Sequence, residues 1–252
     1  MAGDPADMAF SWSPYKPIWT YMRRIQTTFA FKAWIIAGTI LASGGPVIAS
    51  EPSVSEASAA EPFHIVALGD SLSAGYLLPP GAGFPEQLGR ALTEKGHHVT
   101  VMNAGVSGDT STGGLARLDW AISPATNAVI VELGSNDALR GIEPEVTRAN
   151  LDSIIQQLTD RGIKVLIAGM LAPPNMGDDY AADFNSIFAD LSEKYDVPLY
   201  PFFLDGVAAE RHLNLADGMH PTEEGVGVIV ERILPLVEKL IDGATEETAA
   251  IN

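Results

Sequence analysis

The chain has 252 residues, which suits one domain with appendages, and 46% of them are hydrophobic, enough for a sizeable core. Its 32 acidic residues outnumber its 15 basic ones, and the formal charge of -17 argues against partners such as nucleic acid or an anionic membrane surface. Because the chain contains no cysteine, disulfides, thiolate catalysis and thiolate metal sites are excluded.

The N-terminal segment has the pattern of an export signal. Three basic residues between positions 22 and 32 precede a short apolar run at 33–42, and small residues follow up to Ala49. This order is typical of a secretory signal peptide, and the run is shorter than the roughly 20 residues that a membrane span needs. We expect residues 1–49 to be an N-terminal extension and signal peptide, and the protein to be periplasmic or secreted. An uncleaved anchor is the alternative, and translation could start at Met22.

From residue 62 onward, short apolar runs alternate with segments of helical periodicity. The apolar runs predict strands at 63–68, 99–103, 128–133, 164–170 and 198–203. The helical spacing predicts helices at 84–95, 110–122, 143–161, 180–195 and 221–241. Buried strands that alternate with helices indicate an α/β fold with a parallel sheet and right-handed crossovers. We expect one domain at 62–243, between a flexible lead-in at 50–61 and a disordered tail at 244–252.

Polar, glycine-rich segments follow the predicted strands, where the ligands of parallel α/β sheets bind. Ser71 comes directly after the first strand and offers a nucleophilic hydroxyl. His220 offers an imidazole base, and Asp217 lies three residues before it, so that one loop can present both side chains. The backbone N–H groups of Ser71 and Gly108 and the amide of Asn136 are candidate donors to an oxyanion. These are the groups that acyl transfer requires.

Each of these residues also has a purely structural interpretation. Ser71 or Ser73 could cap a helix, Asn136 could belong to a turn, and Asp217 with Gly218 forms a strong turn pair. A non-catalytic periplasmic binding protein would then be the alternative. A second alternative is a metal-dependent phosphoesterase built from carboxylates and an imidazole, namely Asp70, Asp109, Asp137, Asp217 and His220.

Four blocks of the sequence resemble those of the GDSL, or SGNH, hydrolases. They are Gly69-Asp70-Ser71-Leu72, Gly108, Gly134-x-Asn136-Asp137 and Asp217-x-x-His220. The stretches SLSAGY (71–76), SGDTS (107–111), GLARL (114–118) and ELGSNDALRG (132–141) are similar to the bacterial thioesterase I, lysophospholipase L1 and arylesterase branch. The similarity covers about residues 63–240. Ser135 and Gly105 depart from that branch's usual glycine and serine, but neither is a catalytic position.

The resemblance implies a three-layer α/β/α fold with a flavodoxin-like five-stranded parallel sheet. It also implies hydrolysis of small-molecule esters or thioesters without cofactor or metal: aryl esters, acyl-CoA-type thioesters or lysophospholipids. By block matching, Ser71 is the nucleophile, His220 the base and Asp217 its orienter. The oxyanion donors are Ser71, Gly108 and Asn136.

The loop 171–180 differs from the thioesterase I form and, by the same resemblance, borders the acyl pocket. Its candidate substrate-binding residues are Pro173, Asn175 and Met176. Because this loop differs, the sequence leaves the choice of substrate open. The alternative activity is a carbohydrate O-deacetylase with the same catalytic site. We expect a monomer or weak homodimer that binds no nucleic acid and has no stable membrane insertion once the signal is removed.

Overall fold

Five parallel strands form the central sheet of the computed structural model, which describes residues 61–251 and, for 244–251, the backbone alone. The strands, in the order β2-β1-β3-β4-β5, are β1 Phe63–Gly69, β2 Val99–Gly105, β3 Ala128–Glu132, β4 Lys164–Ala168 and β5 Leu199–Tyr200. Every neighbouring pair is parallel. The predicted five-stranded parallel sheet is therefore confirmed. The predicted signal peptide and nearly all of the lead-in lie outside the described residues.

Helices cover both faces of the sheet. They are α1 Ser71–Ala74, α2 Phe84–Glu94, α3 Ser111–Ala116, α4 Leu118–Ala121, α5 Ser135–Leu139, α6 Pro144–Asp160, α7 Asp178–Tyr195 and α8 Glu223–Ile251. Right-handed crossovers put α2 on one face and the helices between β2 and β5 on the other. Accordingly, α2 packs against α8, whereas α6 packs against α3 and α7. None of the helices in this part of the chain has the length and hydropathy to span a membrane.

The core lies on both sides of the central strands. All five residues of β3 are buried, as are the last four of β4. The helices contribute apolar side chains at helical spacing, and fully burying each one stabilises the fold by about 1.5–3 kcal/mol. In α2 and α6 these side chains are Phe84, Leu88, Leu92, Leu151, Ile154, Ile155 and Leu158.

The helix predicted over 110–122 is wrong in one respect, because it is broken at Arg117 into α3 and α4. The Arg117 guanidinium turns inward and donates hydrogen bonds to the carbonyls of Gly69 and Ala104, at 2.8 and 2.6 Å. It also pairs with Asp109 at 2.6 Å. The backbone of Arg117, with φ -105 and ψ 4, therefore departs from helical geometry while its side chain ties together the ends of β1 and β2.

Two further boundaries differ from the sequence prediction. The last strand is only two residues long, because Pro201 has no N–H group with which to continue the ladder. The helix α8 continues to Ile251, through the segment 244–251 that the sequence predicts to be a disordered tail. That segment is rich in alanine and glutamate, which are good helix formers, and this propensity carries the helix onward.

The strand order determines where on the sheet a ligand can bind. The order reverses between β1 and β3, and Gly69 of β1 pairs with Glu132 of β3. Ligands of open α/β sheets bind at such a switch point, beyond the carboxyl ends of the strands. The helix α1 lies close over this edge, since a Cβ atom on Gly105 would lie 2.3 Å from the backbone nitrogen of Ala74. The segments that follow β1 and β3 are thus neighbours.

Candidate active site

The turn after β1 presents Ser71 at the first position of the four-residue helix α1. The side chain of Asp70 caps this helix by accepting a hydrogen bond from the N–H of Leu72 at 2.9 Å. The helix ends at Gly75, whose φ of 74° lies in the left-handed region that glycine tolerates. A single capped turn therefore exposes the Ser71 hydroxyl without the second glycine of a G-x-S-x-G elbow.

Asp217 and His220 share a tight turn ahead of α8. One carboxylate oxygen of Asp217 accepts hydrogen bonds from the N–H groups of Met219 and His220, at 2.9 and 3.1 Å, and the other lies 2.7 Å from His220 Nδ1. The hydrogen bond from Met219, followed by that from His220, lowers the pKa of Asp217 to about 2. An ionised Asp217 only accepts hydrogen bonds, so the imidazole proton belongs on Nδ1.

The other imidazole nitrogen faces the serine. His220 Nε2 lies 3.0 Å from Ser71 Oγ, within the reach that a general base needs. The ring of Tyr76 packs on the imidazole at 4.5 Å between ring centroids, tilted by 40°. His220 is thus held through Asp217 on one side and Tyr76 on another, with its unprotonated nitrogen towards Ser71. The structure brings the three predicted catalytic side chains into one hydrogen-bonded chain.

Donors for an oxyanion converge on the same edge. Gly108 has a φ of 83°, and its carbonyl accepts a hydrogen bond from Arg140 Nη2 at 2.6 Å, which fixes this loop. Within residues 61–251, the backbone N–H groups of Ser71 and Gly108 have no backbone acceptor. Asn136, at the second position of α5, donates one amide hydrogen to Asp70 Oδ2 at 2.9 Å. Its second amide hydrogen remains for a ligand.

The carboxylates of the phosphoesterase alternative do not form a cluster. Asp109 pairs with Arg117. Asp137 is buried and accepts hydrogen bonds from Ser111, from both its N–H and its hydroxyl, and from Thr147. Among the described residues, no three histidine or acidic side chains are grouped so that they could hold a metal ion. These carboxylates instead hold loops and helices in place.

The predicted substrate-binding residues lie on a separate loop after β4. Pro173 precedes a short 3-10 helix, Pro174–Met176, in which Asn175 is exposed and Met176 half-buried. The Met176 methyl approaches Gly141, since a Cβ atom there would lie 3.5 Å from it. This loop thus lies beside the segment that follows α5, and no hydrogen bond links its residues directly to the Ser71–His220–Asp217 chain within residues 61–251.

Sequence reasoning missed Glu132, a fully buried acid at the end of β3. Its carboxyl accepts hydrogen bonds from the N–H of Asp70 and the hydroxyl of Ser73. A sign was available, because AVIVE ends the most apolar strand with an acidic residue. Fully buried glutamates are rare unless they are paired. Tyr76 was also missed, and only its place in the SLSAGY block points to it.

Comparison with known proteins agrees with this geometry. Residues 67–228 match the family model of the GDSL-like lipase/acylhydrolases. An arylesterase of Vibrio mimicus is 42% identical over 66% of this chain and 84% of its own length. The chain belongs to the GDSL-like lipase/acylhydrolase family. This GDSL hydrolase is also 35% identical to thioesterase 1/protease 1/lysophospholipase L1 of Escherichia coli, over 71% of this chain and 85% of that protein.

A solved structure is also similar to this GDSL hydrolase. The crystal structure of AlinE4, described as an SGNH-hydrolase family esterase, shares 43% identity and a TM-score of 0.61 and covers 72% of this chain and 98% of that one. Fold and family agree, so the chain is a serine esterase of the GDSL class. The matched residues 67–228 span all four loops of the site.

Proposed function

We propose that this GDSL hydrolase cleaves small carboxylic esters or thioesters through an acyl-enzyme on Ser71. His220 Nε2 takes the hydroxyl proton as Ser71 Oγ attacks the carbonyl carbon. The bond to the leaving oxygen or sulfur then breaks, and the leaving group takes the proton from His220. A water, deprotonated by His220, releases the acid and restores Ser71. The single observation that carries this proposal is the hydrogen-bonded chain from Ser71 through His220 to Asp217.

The oxyanion of each tetrahedral intermediate accepts hydrogen bonds from the backbone N–H groups of Ser71 and Gly108 and from the Asn136 amide. Two features support these roles. The two N–H groups have no backbone acceptor in the described part of the chain, and the Asn136 amide is held by Asp70, the residue that directly precedes Ser71. Neutral, pre-oriented donors stabilise a developing negative charge without reorganising.

The substrates we propose are aryl esters, acyl-CoA-type thioesters and lysophospholipids. The names of the curated relatives support this range. Apolar side chains exposed in the loops around the edge add support, because they suit an acyl or aryl group; they include Tyr76, Leu77, Val106, Leu171 and Met219. The loop with Pro173, Asn175 and Met176 would contact the acyl group next to α5.

We further propose that the protein acts in the periplasm or outside the cell, as a monomer or weak homodimer. The support for export is the order of basic, apolar and small residues within positions 22–49. Mass spectrometry of the mature N-terminus after expression in a Gram-negative host tests this. A mature chain that begins close to residue 50 supports export, and a cytoplasmic chain of full length contradicts it.

Substrate panels test the proposed activity. Purified protein should hydrolyse p-nitrophenyl butyrate, p-nitrophenyl octanoate and an acyl-CoA thioester, and Ser71→Ala should abolish all three activities. Gly243→Ala, at an open position in α8, is the matched control and should retain them. Preference for O-acetylated sugars over all three substrates would instead identify a carbohydrate O-deacetylase. Activity that persists in Ser71→Ala would contradict an acyl-enzyme on this residue.

A further inference from the structure

Glu132 contacts the residues on both sides of the proposed nucleophile. Its Oε2 atom accepts a hydrogen bond from the Ser73 hydroxyl at 2.8 Å and another from the Asp70 N–H at 3.2 Å. Asp70 directly precedes Ser71, and Ser73 follows it by two positions in α1. One carboxyl oxygen therefore clamps the turn that presents the Ser71 hydroxyl.

The space around this clamp is closed. Gly69 pairs in register with Glu132, and a Cβ atom on Gly69 would lie 2.5 Å from Glu132 Oε2 and 2.2 Å from the Ser73 hydroxyl. Glu132 and Ser73 are both fully buried. The Glu132 carboxyl and the Ser73 side chain fill the place that a side chain on Gly69 would occupy, so the clamp depends on a glycine at position 69.

The surroundings of Glu132 favour its neutral form. Within the described residues its Oε1 atom has no hydrogen-bond partner. The charged group facing it is Asp70, whose carboxylate is itself held by donors from Leu72 and Asn136. The nearby cation, Arg117, bonds to backbone carbonyls and to Asp109 instead.

Burial, and then the charge of Asp70, therefore raises the pKa of Glu132 well above its ordinary value of 4.5. Burial raises the pKa of Asp70 as well, but its hydrogen bonds and the charge of His220 oppose that rise. Environments that push two neighbouring carboxyl pKa values apart leave one acid protonated and the other ionised. Of the two carboxyls, Glu132 is therefore the one whose neutral form is favoured more strongly by its surroundings.

We propose that Glu132 is a positioning residue of the esterase reaction, a buried carboxyl that fixes the Ser71 turn against His220. The inference rests on the proposed role of Ser71. Glu132 touches neither substrate nor reacting atoms, and it acts through the Asp70 N–H and the Ser73 hydroxyl. Its neutral form matters because a second ionised carboxylate beside Asp70 would repel the charge that holds the Asn136 amide.

Two variants of different chemistry test this role. Glu132→Gln keeps the shape and one acceptor oxygen, whereas Glu132→Leu removes both hydrogen bonds. We expect Glu132→Leu to lower kcat by about 10²-fold with little change in KM, because small misplacements of a reacting group have effects of this size. The rate of Ser71 labelling by a fluorophosphonate should fall in parallel, and Glu132→Gln should restore most of both rates. Tyr200→Phe, which removes another buried and unpartnered polar atom from β5, is the control and should leave both rates unchanged.

The pH dependence of protein stability distinguishes positioning by a neutral acid from a general structural role of Glu132. A raised pKa in the folded state means that wild-type stability falls as pH rises above 4.5, whereas the neutral amide of Glu132→Gln does not titrate. The melting temperature of Glu132→Gln relative to wild type should therefore increase with pH. If Glu132→Leu does not fold, Ser73→Ala removes one of the two donors and should lower kcat by a smaller factor.

Three results would overturn the inference. Glu132→Gln as inactive as Glu132→Leu would show that the charge of Glu132 is needed. If Glu132→Leu folds and its Ser71 is labelled at the wild-type rate, the clamp does not position Ser71. If Glu132→Leu does not fold, the same conclusion follows from a wild-type labelling rate in Ser73→Ala. A melting-temperature difference that is constant with pH would show that Glu132 is ionised. A wild-type protein that is not labelled at Ser71 would instead contradict the proposed function itself.

Discussion

His220 has two ring nitrogens with different partners, and this difference sets the chemistry available to Ser71. Asp217 accepts from Nδ1, so Nε2 is left to accept the serine proton. The same carboxylate also accepts two backbone N–H groups in its own turn. Asp217 therefore stabilises its own turn, as the structural interpretation of the sequence predicts, and is also the hydrogen-bond partner of the imidazole. The two interpretations of the sequence are compatible.

Asp217→Asn tests the partner role. An amide can donate to Nδ1 and favour the wrong tautomer, so we expect kcat to fall by about 10⁴-fold, the size typical of losing this partner. Because the pKa of Asp217 is about 2, the wild-type residue stays ionised down to about pH 3 and contributes its stability above the ordinary value of 3.8. The fall of the wild-type rate at acid pH should therefore not reflect protonation of Asp217. A fully active Asp217→Asn would leave Asp217 as a turn residue only.

Asn136→Ala tests the oxyanion role. Loss of one pre-oriented donor typically lowers kcat by about 10²–10³-fold, and KM should change little, since the donor acts on the transition state. Steady-state kinetics with p-nitrophenyl butyrate give both constants. The matched control is Asn175→Ala, an exposed amide on the loop after β4, which should affect KM more than kcat. An unchanged kcat in Asn136→Ala would remove Asn136 from the mechanism.

At the scale of elements, short helices after β1 and β3 do most to build the site. The helices α1 and α5 have four and five residues, too few for the periodicity that identified α2, α6 and α7 from sequence. Their positions are set by contacts across the sheet edge, including the close approach of α1 to Gly105. The sequence therefore predicts the strands and long helices well, whereas elements fixed by tertiary contacts need the structure.

Gly105→Ala tests the approach of α1 to β2. The added methyl would lie 2.3 Å from the Ala74 nitrogen, so backbone must move. Overpacking of this kind typically costs about 1–3 kcal/mol, and each kcal/mol lowers the melting temperature by about 2–4 °C in a domain of this size. Thermal unfolding should show that fall, together with a lower kcat. Gly243→Ala, where nothing lies within 4 Å, should show neither, and a stable, fully active Gly105→Ala would contradict the packing described.

The candidate site was more predictable than some element boundaries, for a physical reason. Ser71, Gly108, Asn136, Asp217 and His220 follow strand ends or precede the last helix, and a parallel sheet collects such positions at one edge. The burial of an acidic side chain, in contrast, is hard to predict from its residue type, because most acidic side chains are exposed. Glu132 reads as the end of a strand, and only the structure reveals that its carboxyl lies under the nucleophile turn.

At the scale of the whole molecule, the excess of acidic residues does not, within residues 61–251, bring three histidine or acidic side chains into a group that could hold a metal ion. The charge of -17 is distributed over the chain, and two of the acids near the edge have partners of their own: Arg117 pairs with Asp109, and Ser111 donates hydrogen bonds to the buried Asp137. The parallel sheet, its strand order and the family agree with one another. They describe a GDSL hydrolase whose proposed chemistry depends on neutral donors and one imidazole.

Treatment with a chelator tests this view of the acidic residues. We expect prolonged dialysis against EDTA to leave kcat and KM for p-nitrophenyl butyrate unchanged, because the candidate carboxylates do not converge. Wild-type protein dialysed without EDTA is the control. A loss of activity that a divalent cation restores would favour the phosphoesterase alternative over the serine mechanism.

Covalent labelling with a fluorophosphonate tests the central claim most directly. Folded wild-type protein should gain one adduct per chain, and peptide mapping should locate it on Ser71, because His220 Nε2 lies 3.0 Å from this hydroxyl. His220→Ala should label much more slowly, and heat-unfolded protein should not label. An adduct on any other residue, or none on the folded protein, would contradict the account.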